Sequence, residues 1–406
     1  MAQLPDSDGQ LGESDREVFR QRCAAFLEAY GPAQESNVAT AKEFLGAAVD
    51  AGLGGIVYPT EYGGAGLTKE HDRIWRAEKS KYPAADGEFV ISHGMCLPVM
   101  NDFGTEEQKR TFMPDMIAGR TMWCQMFSEP GAGSDVASLQ TRAVRDGDEW
   151  ILNGQKVWTT LAHHSDYGII IARTNPDVPK HAGISMFAID MRAPGVEIRP
   201  IHQIDGGRHF NEVFFTDVRI PVEWLVGEEN NGWRQATAML MYERVAIGGL
   251  GSGGGIKQPI YELLADWAKQ NGRLTDPVVR DGLMQIYSME TTKAMVSMRT
   301  RAEMQAGKAP GPGGSLGKLL GSQIHWRFRE IAQSIAGMES IASDGGAGEQ
   351  LWKHVLNSFQ SSIAGGTDEI QRNIIGDRVL GLPREPAVDR DVAFKELKVG
   401  TQRTSL

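Results

Sequence analysis

The stretch TAMLMYERVAIGGLGSGGG, starting at Thr237, sets one acidic residue, Glu243, into a segment that otherwise reads as buried helix. On a helix its neighbours three and four positions away are Met239, Leu240, Ala246 and Ile247, and none of these neutralises a carboxylate. Arg244 is next in sequence, but adjacent helical residues do not face each other. A carboxylate in apolar surroundings has a raised pKa, which suits a general base. Three other segments hold residue types that do chemistry. MFSEPGAGSDVASL, from Met126, is rich in Pro and Gly between Pro130 and Gly133 and ends in Ser134-Asp135. Glycines let backbone N–H groups approach a phosphate, and a hydroxyl adds a donor. The same composition equally makes a plain turn between two elements. GQKVWTT, Gly154 to Thr160, ends a strand with an aromatic ring and two hydroxyls; taken alone, Trp158 reads as core more readily than as a cofactor platform. IAGGTDEIQRNIIGDRVLGLP runs Gly365-Gly366 into a capped helix, with Thr367 as cap and Asp368 and Glu369 in the first turn. Such an N-terminus can hold an anionic or carbonyl group.

The elements that must position these residues change character twice along the chain. From Glu13 to about Gly119, apolar residues recur at helical spacing in DREVFRQRCAAFLEAYG, TAKEFLGAAVDAGL and TEEQKRTFMPDMIAG. Thr105 stands as N-cap of the last, with acidic residues behind it. From about Met122 the pattern turns to short β runs: YGIIIART, GISMFAID, VEIRPI and NEVFFTDVRIP. EWILNGQKVWTT is expected to fold as a hairpin about Asn153-Gly154. After Gly232 long helical segments return, over Trp233 to Ile247, Pro277 to Gln305, Ser315 to Ser343 and Thr367 to Leu380, with GKAPGPGG as an exposed loop. The expected fold is α+β: a helical domain over 1–121, a β domain over 122–232 and a four-helix bundle over 233–406.

The chain has 406 residues, enough for two or three domains with a large core. Its net charge of −10 argues against general nucleic-acid binding. The N-terminus lacks a basic-then-apolar secretory plan, and no apolar run approaches the roughly 20 residues of a membrane span. Cys23, Cys96 and Cys124 are scattered and form no CxxC pair, which points to reduced thiols and a cytoplasmic location. His163-His164 cannot readily converge on one ion and no third ligand is evident, so no metal is expected. Glu129 in SEPG fits a structural hydrogen-bonding role. The GGLGSGGG run follows a helix rather than a strand, which excludes a dinucleotide loop.

Taken together and in this order, SEPGAGSD, GQKVWTT and GGTDEIQRNIIGDRVLGLP, with YPTEYGGAG and FTDVRIP, resemble the acyl-CoA dehydrogenase family of flavoenzymes over nearly the whole chain. The resemblance implies a helical domain, a central β-barrel-like domain and a C-terminal four-helix bundle, with FAD between the last two, in a homodimer or homotetramer. It implies that Gln125, Phe127, Ser128, Gly133 and Ser134 line the flavin, Ser134 touching substrate as well. It places Trp158, Thr159 and Thr160 on the strand covering another part of the isoalloxazine, and Thr367, Asp368 and Glu369 at the helix start that meets FAD. The implied reaction is oxidation of an acyl-CoA to the 2,3-enoyl-CoA, with an electron-transferring flavoprotein as acceptor. Many members carry the base directly before the Gly-Thr of the last motif, where this chain has Gly365. Isovaleryl-CoA and long-chain acyl-CoA dehydrogenases carry it in a Glu-Arg pair on an earlier helix, matched here by Glu243-Arg244. Glu243 is therefore the expected base, and Arg244 is expected to help position the substrate.

Departures from the family bear on assembly and substrate. The family's Arg-x-x-x-Phe-Gly and Gln-x-x-Gly-Gly stretches, which reach FAD from a neighbouring subunit, correspond to NGRLTDPVVRDGL and AQSIAGMES. That leaves room for a heteromer whose partner completes the site. Small residues at Gly365-Gly366 leave room for a branched or ring-bearing acyl group. Two rival readings remain: an oxygen-using oxidase or monooxygenase of the same fold, and a non-catalytic or half-site subunit of a heteromeric dehydrogenase.

Overall fold

The structure, a computed structural model, describes residues 11–30, 37–82, 85–247, 259–305, 313–337, 348–387 and 389–397. The chain gathers into two compact units, one of 1–202, 208–246 and 387–406, the other of 203–207 and 247–386.

The first unit opens with helices α1 (Glu13–Ala29), α2 (Val38–Asp50), α3 (Lys69–Lys79), α4 (Leu97–Phe103) and α5 (Glu106–Ile117). Side chains set the starts of α2 and α5. The Asn37 carboxamide oxygen accepts from Ala39 N and Thr40 N at 2.9 and 3.1 Å, capping α2. Thr105 Oγ1 accepts from Gln108 N at 3.2 Å while Gln108 Oε1 accepts from Thr105 N at 3.0 Å, a reciprocal cap for α5. Phe19, Phe26, Phe44 and Trp75 close the core between the early helices. Met95, Met100, Met113 and Met116 pack a second core against the β region, beside Trp123 and Ile169.

That region is one eight-stranded sheet: β1 (Trp123–Met126), β2 (Arg142–Asp146), β3 (Glu149–Thr160), β4 (Tyr167–Arg173), β5 (Ile184–Asp190), β6 (Val196–Pro200), β7 (Phe210–Pro221) and β8 (Leu225–Val226). The hydrogen-bonded order is β6-β7-β3-β2-β4-β5-β8, with β1 parallel to β4. The fully buried runs Ile169 to Ala172 and Ile184 to Ile189 explain why β4 and β5 read as continuous apolar strands. The helix α6 (Gly232–Ile247) returns to this unit, with Ala236 and Met239 in its core.

The expected hairpin about Asn153-Gly154 is not what forms. β3 runs unbroken through it, and the turn falls between β2 and β3, where Asp146 pairs Glu149 and Gly147 takes φ +63°. Gly154 instead sits where the β3–β7 register shifts, with φ +152°. A Cβ there would come within 2.6 Å of Thr141 Cα, so β3 uses glycine to let a neighbouring backbone pass.

The second unit contains α7 (Ile260–Gln270), α8 (Pro277–Gln305), α9 (Gly313–Ala336), α10 (Gly348–Asn357) and α11 (Asp368–Ile374). Leu264, Leu283, Ile286, Ile324, Phe328, Ile331 and Val355 form its core. The helices α7 and α10 are additional to the four expected segments, and α11 gives way to a π-helical turn over Ile375–Val379. Gly282 lets α8 approach α9: a Cβ there would meet Ile331 Cγ1 at 2.6 Å. The glycine-rich stretch after Glu243, most of GKAPGPGG and the end of AQSIAGMES lie outside the described residues. No helix among the described residues is long and apolar enough to cross a membrane.

Gly154→Ala is expected to destabilise the chain by about 2–3 kcal/mol, from backbone strain and the clash with Thr141. Chemical denaturation measures this; a change below about 0.5 kcal/mol contradicts the bulge assignment.

Candidate functional site

Strand β1 leads into the Gly-rich loop, and β3 runs alongside that loop. Val157 N donates to Ser128 O at 2.9 Å, and Glu129 and Ala132 exchange two backbone hydrogen bonds of 3.0 Å. The deepest link is the Lys156 side chain, which is 0 % exposed. Its Nζ donates to Phe127 O at 3.0 Å and to Glu129 Oε1 at 2.8 Å. Glu129 also accepts from the backbone N–H groups of Gln140 and Thr141, at 2.6 and 3.0 Å. Burial alone would raise the Glu129 carboxyl, but the Lys156 charge and these hydrogen bonds outweigh it and hold the group below the ordinary carboxylate value. Burial draws Lys156 down in turn, against the pull of Glu129. Glu129 thus has a structural partner set.

The β3 backbone then does something unusual. Between Lys156↔Val213 and Thr159↔Asn211 the register slips, and Trp158 adopts φ +61°. A bulky aromatic residue in the left-handed region costs on the order of 1–3 kcal/mol and persists only where its surroundings enforce it. The bulge breaks the alternation of the strand: Lys156 and Val157 are both buried, Trp158 turns outward at 59 % exposure, and Thr159 is 1 % exposed. Asn211 donates from Nδ2 to Thr159 O at 2.9 Å and braces this geometry. Thr159 Oγ1 is buried with no hydrogen-bond partner among the described residues. Thr160 pairs with Phe210 and is half-buried. Gly133 and Ser134 are exposed, and Gly133 borders open space. An outward ring, an orphaned buried hydroxyl and an open glycine loop together suit a planar, phosphate-bearing cofactor.

Glu243 joins the same unit from α6. Gln235, Met239 and Glu243 stand four residues apart on one face, and the first two are buried. Gln125 Nε2 lies 3.5 Å from Glu243 Oε2, so the half-buried carboxylate meets the strand that leads to the Gly-rich loop. Met239, one turn before Glu243 on the same face, is buried, and the Gln125 carboxamide faces the carboxylate. Next to it, the Tyr242 hydroxyl donates to Asp102. The Arg244 side chain lies outside the described residues.

Gly366, Thr367, Asp368 and Glu369 form a separate group in the second unit. Thr367 Oγ1 caps α11 by accepting from Ile370 N at 3.3 Å. Gly365 and Gly366 take φ +67° and +86°, and Gln371 Nε2 donates to both carbonyls at 3.0 and 3.3 Å. Asp368 accepts from Ser322 Oγ at 2.6 Å, and Glu369 is exposed beside Arg372. Gln323, Trp326, Ser362, Asp368, Glu369 and Arg372 line a cleft of about 360 Å³. Gln371 Oε1 is buried without a partner among the described residues.

His163 Nδ1 bonds Asn211 Oδ1 at 3.0 Å, and no group of His, Cys, Asp or Glu able to hold a metal occurs among the described residues. Sequence reasoning missed Lys156 and Asn211. The signal for Lys156 was present: a lysine within a β run that otherwise alternates toward a core.

Comparison with known proteins gives the family. The acyl-CoA dehydrogenase N-terminal domain matches residues 10–120, the middle domain 124–218 and the C-terminal domain 230–380. The chain belongs to the acyl-CoA dehydrogenase family, flavoprotein oxidoreductases of lipid metabolism that act on a CH–CH bond. It is 39 % identical over 339 residues to acyl-CoA dehydrogenase IpdE1 of Mycobacterium tuberculosis, covering 82 % of this chain and 86 % of that one. The solved structure called Tcur3481-Tcur3483 steroid ACAD is similar at a TM-score of 0.75 and 27 % identity, covering 92 % of this chain and 99 % of that one. The ChsE4-ChsE5 complex from Mycobacterium tuberculosis gives a TM-score of 0.72 at 27 % identity, covering 93 % and 99 %.

Lys156→Met leaves a buried carboxylate without its counter-ion and is expected to destabilise the chain by about 3–5 kcal/mol, with Glu129→Gln in the same chain recovering much of it. Glu129 binds its proton more weakly folded than unfolded. Its contribution is therefore complete above the ordinary carboxylate pKa of about 4.3 and is lost as pH falls through the lower folded value. Denaturation at neutral and acid pH measures both effects; equal instability of the single and double variants contradicts the pairing.

Proposed function

We propose that this chain is an FAD-dependent acyl-CoA dehydrogenase acting on a bulky or branched acyl group, with Glu243 as the base. The observation that carries this is the approach of the Glu243 carboxylate to Gln125, on the strand that opens into the Gly-rich loop. In the reaction the α-carbon of the thioester gives up a proton and the β-carbon a hydride, leaving the 2,3-enoyl thioester. FAD, when bound, supplies the acceptor for that hydride. Glu243 takes the α-proton, and the Gln125 amide remains able to donate to the resulting acid's carbonyl oxygen, which keeps the group aimed. Phe127, Ser128, Gly133 and Ser134 would hold the cofactor from the loop, with Ser134 meeting the substrate. Trp158, Thr159 and Thr160 would hold it from β3, the Thr159 hydroxyl finding its partner there. Gly366, Thr367, Asp368 and Glu369 would serve from the helix start of α11, and Arg244 would help position the substrate.

The acyl group is proposed to be ring-bearing, as in sterol side-chain breakdown. Similarity to a structure named a steroid acyl-CoA dehydrogenase supports this, as does Gly365 in place of a side chain. Assembly with a second, related chain is supported by similarity to the ChsE4-ChsE5 complex. An electron-transferring flavoprotein is the proposed acceptor.

Anaerobic mixing of the protein with an acyl-CoA panel tests the reading through loss of the flavin's visible absorbance. A steroid side-chain thioester is expected to bleach it faster than butyryl-CoA does; preference for butyryl-CoA contradicts the substrate. Glu243→Gln is expected to keep the cofactor and slow bleaching by at least about a hundredfold. Bleaching at the unaltered rate removes Glu243 from the base's role, and turnover in air without a flavoprotein acceptor favours the oxidase reading.

A further inference from the structure

Residues 381–406 lie beyond the match to the family's C-terminal domain, which ends at 380. One described stretch of them, 389–397, falls in the first unit with the sheet. Ala393 bridges Pro179, Phe394 N donates to Val178 O at 2.9 Å, and Lys395 N donates to Pro176 O at 3.0 Å. Lys395 also pairs with Asp177 at 2.8 Å. The segment is thus stitched along the connection between β4 and β5.

Two anchors carry the contact from this strap to the Gly-rich loop. Arg173, buried at the end of β4, donates to Lys180 O at 2.5 Å and to Ala137 O at 2.6 Å. Its guanidinium lies 3.7 Å from the centre of the buried Phe394 ring. Burial draws the Arg173 pKa down to about 10, which leaves it charged at neutral pH and able to make a cation–π contact. The second anchor is Lys180, whose Nζ stands 2.8 Å from Asp135 Oδ2, next to Ser134, and 2.7 Å from Asp389 Oδ2 of the strap. Burial alone would lower Lys180, but the two carboxylates outweigh it and raise it. Asp135 also accepts from the Ser138 hydroxyl, so the bridge bears directly on the short turn that ends the loop.

The geometry points to the C-terminal strap as a positioning element for the cofactor loop: Asp389 and Phe394 hold Lys180 and Arg173, which in turn fix Asp135 and the backbone after it, and so aim Ser134. This rests on the reading of Gly133 and Ser134 as cofactor- and substrate-contacting. None of the four anchoring side chains needs to touch the reacting atoms; they act through the loop. The closest functional consequence is therefore on binding. A slackened loop weakens FAD and raises KM for the thioester while leaving kcat within about twofold, because the base stands on a different element.

The test uses the full chain carrying Asp389→Asn, Phe394→Ala, Lys180→Met or Lys180→Arg. Hydrogen exchange of the backbone over residues 131–136 is the first readout, and the FAD dissociation constant the second. Asp389→Asn and Lys180→Met are expected to speed exchange in this loop and weaken FAD by about two- to fivefold, the scale of a half-exposed ion pair. Asp389→Asn is expected to add nothing in the Lys180→Met chain, and Lys180→Arg to restore most of the loss. Phe394→Ala is expected to give the same loop signature through Arg173. Unchanged loop exchange in both Asp389→Asn and Phe394→Ala overturns the proposal. Faster exchange in a chain that binds no FAD in any form supports the strap, and it is then the cofactor reading that fails.

Discussion

A lysine ammonium with no access to water organises the first unit. Lys156 can be buried only because Phe127 O and Glu129 Oε1 accept hydrogen bonds from its ammonium, and Glu129 can be buried only because Lys156 and two backbone amides meet it. The pair ties the loop after β1 to the strand β3, so the two cannot move independently. The pair does not have to raise stability above that of an apolar substitute; its hydrogen bonds join loop to strand at one register. The bulge that follows depends on that register. With Lys156 and Val157 both turned inward, Trp158 is driven out through a left-handed backbone, and Thr159 returns to the interior with its hydroxyl unpaired.

Glu243 reaches this assembly by a different route. The helix α6 buries Gln235, Ala236 and Met239 in the first unit's core, and the same stripe carried one turn further holds Glu243. Its neighbour across the gap, Gln125, sits on β1, held in the sheet by parallel pairing with β4. A strand paired in the sheet and a packed helix thus present the amide and the acid to each other, while the loop after β1 carries the residues proposed to face the cofactor. That division suits a reaction in which the proton acceptor must be placed closely but the ligand must enter and leave.

Much of this was readable from residues. The helix-strand-helix order follows from where the apolar period changes, and the Thr105 and Thr367 caps follow from their acidic or amide followers. The hairpin was misplaced because Asn153-Gly154 is a strong turn signal in isolation, yet RDGDEW held a competing Gly147-Asp148 signal that wins. What decides between them is Thr141, whose backbone passes Gly154 and is brought there by β2 pairing, a tertiary fact with no local trace. The short helices α7 and α10 were hidden for a related reason: each is only about three turns long, and its single apolar face is satisfied by α8 and α9 rather than by its own length. Gln125 facing Glu243 spans 118 residues, and the Asp135–Lys180–Asp389 bridge joins three distant single charges. Such contacts leave no pattern along a sequence.

The central claim is that Glu243, β1 with its loop, and the bulged end of β3 address one ligand. A structure of the protein with FAD and a non-reactive acyl-CoA analogue tests it most directly. The account predicts the analogue's α-carbon within about 3.5 Å of a Glu243 carboxylate oxygen, with the isoalloxazine against Trp158 to Thr160 and Ser134. A ligand α-carbon that faces some other acid, with Glu243 turned toward solvent, would contradict it.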